Sequence, residues 1–593
     1  MVLGHLRLRP KIMAEYLSPG VYVEEFDSGL KPMEGVSTST AGFIGMAERG
    51  PVIGTPEFVA SFADYQRKFG GYLSENGYEG YRFLPYAVEQ FFLNGGSRCF
   101  IMRVAASDAT AAASNPKAPV LNITAANPGA WGDKVKVVIK KASKAKTQIL
   151  AVDGDKVTLK SAAGFNEGDI VCLSDGKEKS YNKIIKVTDK VAQFEKPFDA
   201  AKVVDQEIVP TKILSTCEFN LEVSYDNVAE VYEKVSLNVS ASNYVIKKAE
   251  KSSLIKLAVA TQIVTTAPAV PQAASTETIA HPVELILGQA VELGILELAG
   301  GSDGSLAKVD ASTFIGEDKG PGERTGLQSF IENDRVSIMA IPGITFPAVQ
   351  LQLVAHCENL TSRFAVLDVP KEQVKVTDVA AHRAILDSSY AGMYHPWVEV
   401  FDMLDKKSVC IPPSGSILGI YARSDTQRGV HKAPANEGVK GCTGLSSLYN
   451  KAEQDILNPQ GVNLIRALPG RGIQVWGART CSSDGSWKYV NVRRLFIFVE
   501  ESIRANTGWA VFEPNDEMLW ARVGRTISTF LTGLWRNGAL MGTTPEQAFY
   551  VNIGRETMTQ DDILNGRLIC VIGIAPVRPA EFVIFRITQK MEE

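Results

Sequence analysis

Cysteine and histidine are scarce in this sequence. It has eight cysteines and six histidines among 593 residues. No C-x-x-C or C-x-x-H spacing joins them, so neither a disulfide framework nor a zinc site is predicted. Cysteines this sparse are typical of reduced thiols in a cytosolic protein. We therefore predict synthesis in the cytoplasm and no metal ligands.

The chain also lacks an excess of either charge and an apolar run of membrane length. Its 62 Lys and Arg residues against 66 Asp and Glu give a net charge of -4, which leaves no basic field for nucleic acid or an anionic membrane. The longest charge-free stretch, between Lys256 and Glu277, is too polar for a bilayer helix because it contains two prolines and many hydroxyl side chains. The first twelve residues lack the apolar segment of a signal peptide. We predict no nucleic-acid partner and no direct membrane insertion.

The usual catalytic signatures are missing as well. The sequence contains no H-E-x-x-H, no G-x-x-x-x-G-K-[ST] and no G-x-S-x-G. Residues 320–326 (GPGERTG) miss the spacing of a dinucleotide fingerprint and are interpreted as a surface loop. His395 could serve as a base, but a lone histidine is more typical of a hydrogen-bonded core residue, and His356 should face away from Cys357 on a helix. The sequence predicts no catalytic residues and no cofactor; an α/β enzyme with an unrecognised site stays an alternative.

The overall composition is that of a globular protein, and the residue composition and hydrophobic pattern change in the middle of the chain. Apolar residues make up 45% and charged residues 22%, and the length is that of about four domains. Two small-residue, proline-bearing hinges, 109–120 and 261–283, bracket a lysine-rich segment in which Val135, Val137 and Ile139 alternate with polar residues. Asp153-Gly154 predicts a tight hairpin there. We interpret 121–285 as a β-rich domain inserted into a larger host.

The host has an α/β pattern. Residues 336–341 and 364–369 predict buried strands, and a helix is predicted between them from 347 to 358. The predicted fold class is a multidomain α/β (α+β) protein whose mixed-sheet host core is formed by the N-terminal and C-terminal parts, with the insertion as an outer domain. The predicted domains are an N-terminal extension and strand (1–30), the first part of the host (31–108), the insertion (121–285), the second part of the host (300–460) and a C-terminal domain ending in a strand (461–593).

The C-terminal domain contains the clearest helix signals. Asn515 is predicted to cap a helix with an apolar stripe at Leu519, Val523, Ile527, Phe530 and Leu534, which ends at Asn537-Gly538. A second helix should begin at Thr544-Pro545 with Gln547 completing a capping box, and a third at Thr559 with Asp562. Another face of the first helix carries Arg522, Arg525, Thr529 and Arg536. This face is interpreted either as a solvated basic surface or as a contact for an acidic partner.

Both ends of the chain are strand-forming, although most chains fray there. Neither end is joined to a neighbouring strand by a hairpin turn, so each must find a sheet edge for its backbone groups. The edge can belong to the same chain or to another copy. The residues of these two strands are Val21, Tyr22, Val23 and Glu24 at the start, and Phe582, Val583, Ile584, Phe585 and Ile587 at the end.

Ten short motifs along the chain resemble the contractile tail sheath proteins of phages and related injection systems. They are YLSPGVYVEE (16–25), FFLNGG (91–96), NPGAWG (127–132), RGVHKAPAN (428–436), RGIQVWGART (471–480), WKYVNVRRLF (487–496), FEPND (512–516), GLWRNGAL (533–540), ETMTQDD (556–562) and PAEFVIFRI (579–587). The resemblance covers roughly 13–132 and 300–593. It leaves most of the insertion unmatched, and it begins near Met13, so residues 1–12 stand outside it.

The resemblance implies a structural subunit that stacks in six-fold helical rings around an inner tube. It implies that the terminal strands link neighbouring copies and that contraction drives the tube through a target membrane. The implied partners are further copies of the chain, an inner tube protein, and baseplate and terminal cap proteins. The arginine face is then a candidate tube contact. A baseplate or other tail structural protein is the alternative, and the sequence does not distinguish a phage from a bacteriocin or an injection system.

Overall fold

The structure is a computed structural model, and it describes residues 33–114, 120–174, 179–197, 213–259, 279–582 and 584. The chain divides into two compact units. The larger, here called the large unit, holds residues 35–501, 538–541 and the described residues from 576 onward. The other, the small unit, holds the described residues 33–34, 502–537 and 542–575.

The large unit is built on a nine-stranded mixed sheet, called the central sheet, in which the described strands near the middle run parallel. In spatial order its strands are Glu57–Val59, Cys99–Val104, Ala41–Met46, Ile338–Ala340, Phe364–Asp368, Ala391–His395, Val462–Leu468, Gly472–Val475 and Glu437–Gly438. The central strands are buried along their whole length, for example AGFIGM and FAVLD, as expected for a parallel sheet covered on both faces.

Helices pack on the central sheet. The helix predicted from 347 to 358 begins at the predicted residue and ends two residues later, at Leu360. The predicted strand–helix–strand unit is present as Ile338–Ala340, Pro347–Leu360 and Phe364–Asp368. The other α-helices described in the large unit are Phe62–Phe69, Glu75–Tyr78, Leu84–Leu93, Val245–Lys248, Pro282–Leu287, Ala311–Ile315, Val376–Arg383, Ser414–Arg428 and Lys451–Leu457. Helix Val490–Asn506 follows. A small three-stranded sheet adds Lys407–Ile411, Val398–Asp402 and Gly444–Leu445.

The predicted insertion consists of two β structures. The first is a seven-stranded sheet whose order is Val228–Val235, Glu218–Tyr225, Lys136–Ala142, Leu293–Ala299, Ala113–Ser114, Leu121–Ala125 and Ile255–Val259. The second is a closed barrel, here called the barrel, of Lys179–Thr188, Val191–Phe194, Lys156–Leu159, Lys146–Asp153, Ile213–Thr216 and Ile170–Ser174. The hairpin at Asp153-Gly154 is present, since Asp153 pairs with Lys156. The sheet reaches beyond 121–285 on both sides, to Ala113 and Ala299; the domain boundaries themselves stay a prediction.

The small unit packs helix Glu517–Arg536 on a two-stranded sheet of Phe549–Ile553 and Cys570–Ile574. Short helices Pro545–Ala548 and Gln560–Leu564 complete it. The buried stripe of the long helix contains Leu519, Val523 and Ile527 as predicted. Leu531, rather than Phe530 or Leu534, continues this stripe and is fully buried.

Two predicted caps in the small unit are wrong. Asp516, not Asn515, caps the long helix by accepting from the Leu519 N–H, while Asn515 accepts from the Trp520 indole. Gln547 does not close a capping box on Thr544; its Oε1 accepts from the N–H and hydroxyl of Thr543. Asn and Gln side chains can form hydrogen bonds with several nearby groups. The loop conformation decides which bond forms, and the local sequence pattern does not determine that conformation. The capping box at Thr559 and Asp562 is present.

Candidate assembly surfaces

The C-terminal strand residues that the structure describes are exposed and belong to no strand of this chain. Phe582 and Ile584 have 71% and 78% of their surface accessible. Val583, Phe585 and Ile587 lie outside the described residues, as do Val21, Tyr22, Val23 and Glu24 at the other end. Two large apolar side chains exposed two residues apart in the chain are candidates for burial against a binding partner.

The small unit contains a sheet with two open edges. Strands Phe549–Ile553 and Cys570–Ile574 pair antiparallel, with Phe549 opposite Ile574 and Ile553 opposite Cys570. Among the described residues, no third strand pairs with either of them. A two-stranded sheet is marginal by itself, and each open edge presents a row of unpaired N–H and C=O groups. The sheet can therefore accept one strand on each side.

The covered face of this sheet is also incomplete. Phe549, Val551 and Ile553 alternate with exposed residues and point to the helix side, yet all three are only half-buried. Ile572 and Ile574 of the partner strand are half-buried too. Apolar side chains in a finished core are usually fully buried. Additional strands would extend the sheet over this face and complete the core.

This two-stranded sheet is not among the elements predicted from the sequence. The segments FYVNI and CVIGI are short runs of β-branched and aromatic residues, the composition expected of strands. Only helices, beginning at Thr544 and Thr559, were predicted in this region. The available signal was the short strand pattern that follows each of the two capping signals.

The arginine face is exposed as predicted. Arg522, Arg525, Thr529 and Arg536 all lie on the solvent side of helix Glu517–Arg536. The Arg522 guanidinium carbon lies 4.1 Å from the centroid of the Trp509 ring, a cation–π contact that orients it. The Thr529 hydroxyl donates to the Arg525 carbonyl at 2.8 Å. Its oxygen can therefore accept a hydrogen bond from a partner, whereas its proton is already used. Within the described residues, no carboxylate forms an ion pair with these three arginines.

His395 is a core histidine, and no described feature makes it a catalytic base. It is fully buried, and its Nε2 lies 2.8 Å from the Tyr449 hydroxyl. Tyr449 donates its own proton to the Val374 carbonyl, so Nε2 is the donor to Tyr449 and Nδ1 is unprotonated. Burial, together with the nearby charge of His382, lowers the pKa of His395 to about 4.

The other sequence candidates for chemistry are likewise structural. His356 points to Arg363, with 2.7 Å between Nε2 and the guanidinium, and burial raises the pKa of Cys357 to about 12, so the pair forms no activated thiol. The 320–326 segment is a loop whose Arg324 pairs with Asp318 and Glu332. In the part of the chain that the structure describes, no group of His, Cys, Asp and Glu could bind a metal ion. No described helix combines the length and the apolar character of a membrane span.

The match to known families covers the second half of the host and the small unit. Residues 320–481 match the central domain of the phage tail sheath protein, and residues 482–590 match the phage tail sheath C-terminal domain. The chain belongs to the phage tail sheath protein family. The two-stranded sheet, the arginine face and the exposed Phe582 all lie in the matched C-terminal domain of this sheath protein.

Individual sheath proteins resemble it over much of their length. A major tail sheath protein assigned to a prophage of Pseudomonas aeruginosa (strain UCBPP-PA14) is 28% identical over 47% of this chain and 73% of its own. The tail sheath protein of Escherichia phage P2 is 24% identical over 54% of this chain and 82% of its own. The contracted sheath of an extracellular contractile injection system, PVC, aligns with a TM-score of 0.50 at 21% identity, over 98% of this chain and 99% of its own. That similarity shows that the two chains share a fold.

Proposed function

We propose that this sheath protein is the subunit of a contractile tail sheath. It polymerises in six-fold helical rings around an inner tube and contracts to drive the tube through a target membrane. The observation that carries the proposal is the two-stranded sheet with two open edges in a chain that has two strand-forming ends. The small unit accepts one strand on each edge from neighbouring copies, as in other β-augmentation contacts.

The energetics of such links suit a contractile lattice. Each donated strand adds a few backbone hydrogen bonds, worth roughly 0.5–1.5 kcal/mol net each. One link is therefore modest, but many links in a closed mesh act together through avidity. Contacts of this head-to-tail kind are heterologous and extend into a helix. The links can persist while the subunits repack from a metastable extended state to a contracted one, so the energy of contraction is stored during assembly.

The arginine face is proposed as the contact with the inner tube, and baseplate and cap proteins as the partners at the two ends. Tube contacts must break on contraction, and exposed ion pairs of about 0–1 kcal/mol each meet this requirement. Changing Arg522, Arg525 and Arg536 to Glu should give tube-free or prematurely contracted sheaths in electron micrographs. Arg555→Glu with Arg567→Glu, at exposed arginines of the same unit, is the control. Normal extended particles from the triple variant would contradict the tube contact.

Strand donation is tested by deletion. Deleting residues 19–26 should leave a folded, soluble monomer that forms no tubes, because one strand of each augmented sheet is lost. Deleting residues 2–9 removes the same number of residues outside the sheath motifs, and this control should form hollow striated cylinders like the unmodified protein. Negative-stain electron microscopy and analytical ultracentrifugation give the readout. Long tubes from the 19–26 deletion would reject strand donation, and a discrete oligomer without tubes from the unmodified protein would reject the sheath function.

A further inference from the structure

Glu581 is the last residue of the described C-terminal segment that contacts the rest of the large unit by hydrogen bonds. The Glu581 side chain is 20% exposed, whereas Phe582 and Ile584, one and three residues further on, are 71% and 78% exposed. Within the described residues, no backbone hydrogen bond involves 578–582. The segment is thus fixed at this position by one side chain rather than by a strand ladder.

The carboxylate of Glu581 accepts four hydrogen bonds. Arg479 donates from Nε to Oε1 and from its terminal nitrogen to Oε2, both at 2.7 Å, which is a bidentate pair. Asn458 Nδ2 donates to Oε1 at 2.8 Å and the Tyr489 hydroxyl to Oε2 at 3.0 Å. Lys488 lies 3.8 Å from Oε2. Burial would raise the pKa of Glu581, but the hydrogen bonds from Arg479 and Asn458 outweigh it and hold the pKa below its usual value.

The receiving arginine is itself held in place. The Arg479 backbone N–H donates to Asn463 Oδ1 at 2.7 Å, and Asn463 returns a bond to the Arg479 carbonyl at 2.8 Å. Asn463 is fully buried in strand Val462–Leu468 of the central sheet. The contact therefore connects the C-terminal segment to the central sheet through Arg479 and Asn463.

Upstream, the segment is attached to the same unit at one more place. Pro576 forms an isolated bridge with Leu540, and the Val577 N–H donates to the Ala539 carbonyl. Asn491 donates to the Val577 carbonyl at 3.1 Å. Residues 576–581 therefore run along the large unit between two attachments, and Glu581 forms the one nearer to the strand-forming residues.

We propose that Glu581 and Arg479 form a fixed anchor from which the C-terminal strand is presented to a neighbouring copy. This rests on the proposed function, in which that strand is donated. Glu581 acts as a positioning residue: it fixes where the strand leaves the subunit, so less conformational entropy is lost when the neighbour binds it. Through Arg479, a pull on the donated strand during contraction is transmitted to the central sheet.

Assembly of the full chain with Glu581→Gln tests the anchor. Glutamine has nearly the same size, but it lacks the negative charge and places an NH2 group where Arg479 or Tyr489 donates. Sedimentation should show a critical concentration for tube formation about tenfold higher, equal to about 1.4 kcal/mol. The unpolymerised fraction should melt at the temperature of the unmodified protein, because the anchor holds only a terminal segment. Tyr489→Phe removes one of the four bonds and should give a smaller increase.

Two further proteins keep the outcomes distinct. Glu437→Gln is the matched control, because Glu437 is 22% exposed and also contacts two cations, Arg423 and Lys432, away from the chain ends; its critical concentration should not change. Truncation after Glu581 should abolish tubes. If the truncated chain still forms tubes, the proposal that this strand is donated to a neighbouring copy is rejected. If truncation abolishes tubes but Glu581→Gln assembles and contracts like the unmodified protein, or only melts earlier, the anchor is rejected and strand donation stands.

Discussion

At the scale of single residues, the large unit buries several titratable groups and satisfies most of their hydrogen bonds internally. Asp368 ends a central strand and accepts from the Gly343 N–H and from the N–H and hydroxyl of Ser414. Burial still raises the pKa of Asp368 to about 6. In His395, Nε2 is hydrogen-bonded to Tyr449, whereas Nδ1 has no hydrogen-bond partner in the described structure. Groups of this kind make stability depend on pH.

Because His395 is buried in its neutral form, the fold should become less stable in mild acid. The histidine is neutral in the folded protein down to a pKa of about 4, whereas in the unfolded chain it takes up a proton near pH 6.5. The unfolded state thus binds more protons below pH 6.5, and stability should fall from there until about pH 4, by at most about 3 kcal/mol. Urea unfolding of the unpolymerised protein at pH 7 and pH 4.5 measures this loss.

The comparison protein for this measurement is His395→Asn, which keeps the other buried histidines. It should lose less stability than the unmodified protein between the two pH values. Equal losses in both proteins would mean that His395 does not titrate in this range.

At the scale of elements, one close contact between two helices of the host depends on glycine. Helix Ser414–Arg428 crosses helix Leu84–Leu93, and a Cβ on Gly415 would lie 2.4 Å from the Ala87 carbonyl oxygen. A Cβ on Gly419 would lie 2.5 Å from the Phe91 carbonyl oxygen. The four-residue spacing places both glycines on one helix face, so the two backbones approach more closely than any side chain would permit.

Alanine should therefore act in opposite directions at two helical glycines. Gly419→Ala should destabilise the protein by about 1–3 kcal/mol, because the methyl group forces the helices apart. Gly533→Ala, in helix Glu517–Arg536, has open space around the added Cβ and should stabilise by about 0.5–1 kcal/mol through helix propensity. Melting curves of the two variants measure the effects, and stabilisation by Gly419→Ala would show that the helices can separate freely.

At the scale of the whole molecule, the large unit has one β structure nested in another. The barrel begins after strand Lys136–Ala142 and ends before strand Glu218–Tyr225, and these two strands pair with Ala142 opposite Glu218. The barrel thus occupies the tip of a hairpin of the seven-stranded sheet. A domain that enters and leaves at adjacent positions can be removed without breaking the chain path of its host.

Replacing residues 143–217 with Asn-Gly should leave a folded subunit. The replacement joins Ala142 to Glu218 by a two-residue turn that matches their register, and Glu218, whose partners Lys144 and Thr216 are removed, gains access to water. Circular dichroism should show a cooperative transition, and electron micrographs should show tubes with a thinner wall. Insoluble chain would mean that the barrel is part of the folding core of the seven-stranded sheet. Removing the whole predicted insertion, 121–285, is no substitute, since this also deletes strand Lys136–Ala142, with which Leu293–Ala299 pairs.

The amino-acid sequence by itself determined the features that depend on neighbours along the chain. The apolar runs around Ile338 and Phe364 specified buried strands, and Asp153-Gly154 specified a hairpin. That the two chain ends form strands stays a prediction. The arginine face followed from helical periodicity alone.

Tertiary structure decided what depends on residues far apart. The bond between Arg479 and Glu581 joins positions 102 residues apart, and the open two-stranded sheet forms only when 549–553 meets 570–574. The choice of Asp516 over Asn515 as a cap and of Leu531 over Phe530 as a buried residue likewise depends on which surface lies against the helix. Local sequence fixes backbone preference and periodicity, whereas pairing and burial are set by the whole set of surfaces that pack together.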